Sequence, residues 1–184
     1  MFPALLLALA LAAPQAGPGK VYLTPDEALA LAFPECTIER RTEYLDKAEA
    51  KRVEALAHGA LEGRVVRPYV ATKDGKLVGT AYFDAHRVRT KNEVLMLVVA
   101  SDERLKRIEV LSFAEPAEYL PKPAFYAQFA GKRLSDELAV GRDVRGVAGA
   151  TLSANAASGA VRRALAVQRV LAERAAAPTT TAAR

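Results

Sequence analysis

A tight turn between two β-rich segments constrains this chain more than any other sequence feature. Asp74 and Gly75 separate the runs Val65 to Thr72 and Leu77 to Phe83. An Asp-Gly pair between two such runs is the strongest short-range signal for a β-hairpin. The sequence therefore predicts two antiparallel strands joined at this turn.

Periodicity predicts the remaining elements. Residues 93–100 are almost wholly apolar, which is typical of a strand covered on both faces, and residues 105–113 alternate between apolar and charged side chains. A capping box with proline at the first helical position predicts a helix from Thr24 to Phe33. A second helix is predicted from Glu43 to His58, with His58 at its C-terminal cap.

The last helix has a clear apolar stripe. We expect its polar side chains Arg162, Arg163, Arg169 and Glu173 to face away from the core. The stripe consists of Ala157, Val161, Ala164, Leu165, Gln168 and Leu171. The fold class predicted from these elements is α+β, an antiparallel sheet of about four or more strands packed by helices on one side.

Composition limits the function classes. The chain has 184 residues, of which 51% are hydrophobic and 26% charged, enough for one core. The net charge of +5 is spread along the chain, and tryptophan is absent, so nucleic acid is not an expected partner. One cysteine and two histidines predict neither an internal disulfide nor a metal site. No Ser-His-Asp set or carboxylate pair marks a catalytic centre.

The N-terminus has the pattern of an export signal. Residues 1–16 carry no charge, and the apolar run from Ala4 to Ala13 is too short for a membrane span but has the length of a signal-peptide core. The prediction is export, with a mature chain from about Gly17; the alternative is an apolar N-terminal helix that is buried or rests on a membrane. Residues 175–184 form an Ala/Thr/Pro tract that we expect to be disordered.

The segment before the last helix is suited to an anion. Residues 143–155 contain two glycines, small side chains and two hydroxyls that lead into a helix N-terminus. Free backbone amides and the helix dipole at such a point favour a phosphate group. The alternative is that Thr151 or Ser153 is simply an N-cap after a glycine-containing loop.

The sequence Gly149-Ala150-Thr151-Leu152-Ser153 at the start of a final amphipathic helix resembles the motif of the FMN-binding domain family. That family includes the peripheral flavoprotein subunits of sodium-translocating NADH:quinone oxidoreductases and of Rnf-type complexes, and small exported members. The resemblance covers roughly Val65 to Val170. It implies an FMN-binding domain at residues 63–174, which follows the helical N-terminal part that the two predicted helices indicate at residues 17–62.

The resemblance also implies roles for single residues. Thr151 would be esterified to the phosphate of FMN by a separate flavin transferase that uses FAD. Gly149 and Ala150 would bring the backbone close to that phosphate, Leu152 belongs to the same binding segment, and Ser153 would donate a side-chain hydrogen bond. The chain departs from the family pattern at two positions, since Arg145 and Ala148 stand where Asp and Ser or Thr are usual.

Two further groups of side chains are candidates for the flavin ring. Arg87, Arg89 and Lys91 would stabilise negative charge on a reduced flavin, or they form a solvated loop. The aromatic side chains would stack on the ring or face the core; they are Tyr119, Phe125, Tyr126 and Phe129.

The expected function is electron transfer in the periplasm or another extracytoplasmic space, in association with a membrane. The chain is expected to be an electron carrier rather than a substrate-turning enzyme, with a membrane redox complex or a haem protein as its partner. A cofactor-free binding or scaffolding module of a membrane complex is the alternative, and the departures at Arg145 and Ala148 favour it.

Overall fold

The computed structural model describes residues 20–177. The predicted signal segment lies outside these residues, as does the tail from residue 178 onward, whereas Ala175 and Ala176 belong to the last helix. In chain order the elements are β1 (Lys20–Val21), α1 (Pro25–Ala32), β2 (Thr37–Arg40), β3 (Glu43–Tyr44), α2 (Lys47–Ala57), β4 (Val65–Val66), β5 (Tyr69–Lys73), β6 (Lys76–Arg87), β7 (Asn92–Ala100), β8 (Leu105–Phe113), a 3₁₀ turn (Ala117–Tyr119), α3 (Pro123–Ala127) and α4 (Thr151–Ala176).

The α+β fold class is confirmed. Six antiparallel strands form one sheet in the order β1-β8-β7-β6-β5-β2, and β3 and β4 form a separate two-stranded ribbon. The predicted hairpin joins β5 to β6, where Asp74 and Gly75 both have positive φ, 51° and 73°. Two positive φ values are what a type I′ turn requires, and this turn matches the twist of the two strands. The predicted first strand, Val65 to Thr72, is divided: Val65 and Val66 form β4, which pairs with β3, and only Tyr69–Lys73 pairs with β6.

Helices cover both faces of the sheet, so the prediction of helices on one side is wrong. Alternate residues of β7 point to opposite faces: Leu95 and Leu97 pack in the core beneath α2, α3 and α4, whereas Met96 and Val98 pack with α1. All four side chains are fully buried. The apolar run of β7 therefore belongs to a central strand covered on both sides, as the sequence predicted.

Helix α2 begins later than predicted. The Asp46 side chain accepts hydrogen bonds from the amides of Ala48 and Glu49, at 2.7 and 2.8 Å, and fixes the N-cap there. Glu43 and Tyr44 pair instead with β4. His58 is the C-cap, with a positive φ of 53°, as expected.

Three polar residues predicted on the outer face of α4, Arg162, Arg163 and Arg169, are buried or partly buried. Arg162 is only 5% exposed, and Arg163 is partly buried against β6. The Arg162 guanidinium donates to the carbonyl oxygens of Leu56, Ala57, Ser135 and Leu138, at 2.6–3.2 Å. It therefore joins α4 to the end of α2 and to the chain before α4.

The sequence did not predict the strands β1 and β2. They come from the N-terminal part and form the two edges of the sheet. Among residues 20–177, no helix combines the length and the hydropathy that a membrane crossing needs.

Candidate functional site

The turn that leads into α4 is held by the side chain of Gln128. Its amide oxygen accepts the Arg145 N–H at 2.9 Å, and its amide nitrogen donates to the Arg145 carbonyl at 3.1 Å. Gly149 then has a φ of +80°, and Ala150 N–H donates to Val147 at 3.1 Å. The turn thus has a defined backbone path, with a glycine where the chain must enter the left-handed region.

The N-terminus of α4 has no side-chain cap. Its N-cap is Ala150, so the alternative in which the hydroxyl of Thr151 or Ser153 caps the helix is wrong. The first backbone bond of the helix runs from Ala154 N–H to the Ala150 carbonyl, at 2.9 Å. The amides of Thr151, Leu152 and Ser153 precede it and have no hydrogen-bond partner among the described residues.

The surroundings of this turn are open. Thr151 is exposed and Leu152 is 53% exposed. A Cβ atom placed on Gly149 would meet no other atom within 4 Å. Three unpartnered amides, an exposed hydroxyl and the positive end of a helix dipole fit a phosphate group.

Ser153 has a different contact from the one expected. Its side chain is buried, and its hydroxyl donates to the Tyr119 carbonyl oxygen at 2.6 Å. The hydroxyl proton of Ser153 is therefore used in the bond to Tyr119, and the predicted hydrogen bond to a phosphate would need the same proton. In the structure, Ser153 fixes the start of α4 to the 3₁₀ turn at residues 117–119.

Three of the four candidate aromatic residues belong to the core. Phe125, Tyr126 and Phe129 are 3%, 8% and 0% exposed, and Phe125 makes edge contacts with the other two rings. Of the two alternatives left open by the sequence, the structure therefore supports core packing for these three. Tyr119 is 37% exposed and lies beside the start of α4, through its contact with Ser153.

The loop between β6 and β7 carries the candidate cations and has a fixed backbone. The Glu115 carboxylate accepts the amides of Thr90 and Lys91, at 2.6 and 2.7 Å, and these bonds lower the pKa of Glu115. Arg87 and Arg89 are exposed. Glu115 contacts this loop, and Tyr119 accepts the hydrogen bond from Ser153 at the start of α4. The short segment from 114 to 119 therefore joins the two, and the candidate cations lie at the same end of the sheet as the turn before α4.

A layer of ionisable side chains lies between the sheet and α4. Arg163 donates two hydrogen bonds to Asp84, at 2.7 and 2.9 Å. His86 lies between Asp84 and Glu93, at 2.8 and 3.1 Å, and Tyr126 donates to Glu93 at 2.9 Å. Glu93 is fully buried. The continuous chain of partners is what allows a carboxylate to be buried at this depth.

The charges in this layer follow from its hydrogen bonds. Burial lowers the pKa of His86, but its hydrogen bonds to Asp84 and Glu93 outweigh burial and raise the pKa to about 9. For Asp84, burial is likewise outweighed by His86 and Arg163, and the pKa falls to about 2. His86 is therefore an imidazolium at neutral pH. A ring protonated on both nitrogens cannot ligate a metal, and residues 20–177 contain no metal-ligating cluster.

Sequence reasoning missed this layer, although strand periodicity carried a signal. Asp84 and His86 share a face of β6 with Tyr82, and Glu93 shares a face of β7 with Leu95. Charged residues that lie on the same strand face as core residues are candidates for buried groups that pair with one another. The partner Arg163 could not be found in this way, because helical periodicity places it on the face opposite the predicted apolar stripe.

Grooves of about 500–590 Å³ open elsewhere on the described surface, and none is lined by residues 145–153. Comparison of the chain with protein-family models, with curated proteins and with solved structures gives no match in any of the three.

Proposed function

We propose that the protein is an exported flavoprotein that binds FMN at the N-terminus of α4 and carries electrons between a membrane redox complex and an extracytoplasmic partner. One observation carries the proposal: within residues 20–177 the helix has no side-chain cap, and three amides have no hydrogen-bond partner next to an exposed threonine hydroxyl. An anionic group satisfies such amides and gains from the helix dipole.

The residues of the turn have different roles in the proposed binding of FMN. The amides of Thr151, Leu152 and Ser153 bind the phosphate, and the absence of a side chain on Gly149 leaves room for it. Ser153 holds the helix start in place through Tyr119. FMN supplies the redox chemistry by accepting and releasing one or two electrons.

Thr151 is the proposed attachment residue. Its hydroxyl oxygen would form a bond to the FMN phosphorus of FAD while the pyrophosphate bond breaks. AMP would leave, the hydroxyl proton would pass to the transferase or to solvent, and no electron would be transferred. The exposure of Thr151 supports this step, since a second enzyme must reach the hydroxyl.

Cations near the turn would raise the affinity for a doubly negative phosphate. Arg87, Arg89 and Arg145 are exposed and form no ion pair within residues 20–177. Their field is long-ranged at low ionic strength and is screened by salt. Binding of FMN is therefore expected to weaken as the salt concentration rises.

The test is expression of the full chain with and without a flavin transferase, followed by denaturing precipitation and absorbance in the flavin bands. We expect yellow precipitate only with the transferase, and reversible uptake of FMN by the protein made without it. Thr151→Ser keeps a hydroxyl and is the matched control for Thr151→Ala. Colourless protein from both hosts, with no uptake of added FMN, would reject the cofactor.

A cofactor-free scaffolding module is the second candidate. Arg145 and Ala148, at two positions where the family pattern has other residues, favour it. The colour of the purified protein separates the two candidates.

A further inference from the structure

We propose that the outer edge of β8 binds an extended peptide segment that carries carboxylate side chains, and adds it to the sheet as a further strand. The binding surface, termed the β8 groove, lies between this edge and α3. It requires no bound flavin, so the inference goes beyond the function proposed above.

The outer edge of β8 lacks a strand partner over much of its length. On the side away from β7, β8 pairs with β1 only at Ser112 and Phe113. Within residues 20–177, no main-chain hydrogen bond on this side involves residues 106–110. Alternate residues of a strand direct their N–H and C=O groups to opposite sides, so this stretch presents donors and acceptors without partners.

The protein's own chain bonds to this edge at both ends of the gap. At one end the Tyr22 N–H donates to the Leu111 carbonyl at 2.8 Å. At the other end the Leu105 N–H donates to the Lys132 carbonyl at 2.9 Å, and the Leu105 carbonyl accepts the Gly131 N–H at 2.7 Å. From Leu105 to Leu111 the strand spans about 20 Å, at about 3.4 Å per residue. The gap fits one short extended segment, whereas β8 of a second copy carries the same flanking segments and would collide with them.

An apolar groove runs beside the gap. It has a volume of about 590 Å³, and residues 106–110 all line it. Its apolar lining side chains include Leu23, Ile108, Val110, Leu120, Pro123 and Ala127. When a peptide adds a strand to a sheet edge, the main-chain bonds supply affinity and pockets beside the edge select alternate side chains. This groove is placed to receive apolar side chains of such a peptide.

The charged side chains that line the groove have a positive excess. They are Lys106, Arg107 and Glu109. Arg107 pairs with Glu109 and also donates to the Leu31 carbonyl at 3.1 Å. Lys106 is exposed and forms no ion pair in the part of the chain that the structure describes. Lys106 is therefore the cation of the lining that is available to a ligand.

The residues next to the lining increase this excess. The charged residues within two positions of a lining residue are Lys20, Arg104, Lys122, Lys132 and Glu118. Arg104 and Lys132 pair with Asp102 and Asp143. The exposed lysines at 20, 106 and 122 therefore remain against the one carboxylate of Glu118. Carboxylates on a bound peptide complement this charge.

The free edge selects a peptide among anionic partners. An anionic membrane or a nucleic acid would also complement the lysines. Neither offers a row of alternating N–H and C=O groups to the unpaired main chain of β8, whereas an extended peptide does.

The first experiment selects a probe from random seven-residue peptides displayed on phage, with the full-length protein as bait. We expect sequences in which carboxylates and β-branched residues alternate, without internal proline. The selected peptide is synthesised in two forms, each N-methylated at one of its two sets of alternate residues. Only the form that lacks the N–H groups facing β8 should lose binding. Failure to select such a sequence, or equal effects of the two forms, as attraction by charge alone would give, would overturn the proposal.

The second experiment locates the bound peptide by hydrogen exchange. In the free full-length protein, the amides of residues 106–110 that face the gap should exchange faster than those of β7, which has a strand on each side. The selected peptide should slow their exchange by more than about tenfold and leave β2, at the opposite edge, unchanged. Slow exchange in the free protein would mean that another segment or a second copy covers the edge. That result, or no protection by the peptide, would contradict the proposal.

The third experiment changes side chains at exposed positions. Ala127→Phe fills the groove, and Ala124→Phe adds the same ring to α3 at a position that does not line it. Lys106→Glu reverses the cation of the lining, and Lys76→Glu makes the same change beside the β5–β6 turn. Ala127→Phe and Lys106→Glu should each weaken binding of the selected peptide by at least about tenfold, and the two controls by less than about twofold. Equal losses within either pair would show that the peptide does not bind in the β8 groove.

Discussion

Arg162 is a charged residue of α4 that is buried in the folded protein. Its guanidinium is buried and donates to four main-chain carbonyl oxygens instead of a carboxylate. Arg162→Met removes every donor while keeping much of the side-chain volume. The free energy of unfolding should fall by about 3 kcal/mol, because buried acceptors lose their partners. Urea unfolding measures this. Arg133→Met, at an exposed arginine, should change stability by less than about 0.5 kcal/mol; similar losses at both positions would contradict the assignment.

His86 makes stability depend on pH in a defined direction. Its pKa is raised to about 9 in the folded protein from 6.5, so its contribution is complete below pH 6.5 and is lost as pH rises through 9. The loss amounts to at most about 3 kcal/mol. Urea unfolding of the wild type and of His86→Gln should show a stability difference that is largest at pH 6 and narrows towards pH 9. A difference that stays constant over this range would show that protonation of His86 is not what stabilises the layer.

At the scale of elements, the loop between β6 and β7 is held by one carboxylate. Glu115→Ala removes the acceptor of the Thr90 and Lys91 amides, so hydrogen exchange at these two amides should accelerate while the amides of β7 keep their protection. The comparison is with Glu118→Ala, an exposed carboxylate three residues away. Unchanged exchange at Thr90 and Lys91 would mean that the loop is held by other contacts.

The elements that the sequence predicted well are those with a local signal. The Asp74-Gly75 turn identifies β5 and β6, the alternation of apolar and charged residues identifies β8, and the Thr24 capping box identifies α1. The edge strands β1 and β2 have two and four residues, too few for periodicity to show. Helix α2 starts four residues after the predicted Glu43, because Glu43 fits a helix pattern equally well, whereas the Asp46 cap and the pairing of β3 with β4 place the start at Lys47.

At the scale of the whole molecule, α4 joins distant parts of the fold. Its first residues form the open turn proposed for FMN, and near its end Arg174 donates to the Tyr44 carbonyl of β3. The turn was predicted from the sequence because its small residues and hydroxyls are contiguous. The ionic layer beneath α4 was not, since its members are far apart in sequence and meet only when the helix packs on the sheet.

The long helix also explains why the outward placement of Arg163 is wrong and why the Ser153 hydroxyl has a partner within the protein. Both side chains face the body of the protein, where Ser153 donates to the Tyr119 carbonyl and Arg163 donates to Asp84. A helical pattern assigns a face to each residue but does not reveal which polar groups the opposing surface offers. Tertiary contacts therefore determine which side chains of α4 remain for a ligand, and Thr151 is the exposed hydroxyl of its first turn.

The mass of the intact protein tests the central claim most directly. The full chain is produced in an exporting host with a flavin transferase, and the site of any adduct is located by peptide fragmentation. We expect an FMN-sized addition on Thr151, retained in Thr151→Ser and absent from Thr151→Ala. An unmodified wild-type mass together with no uptake of FMN, or an adduct that persists in Thr151→Ala, would contradict it.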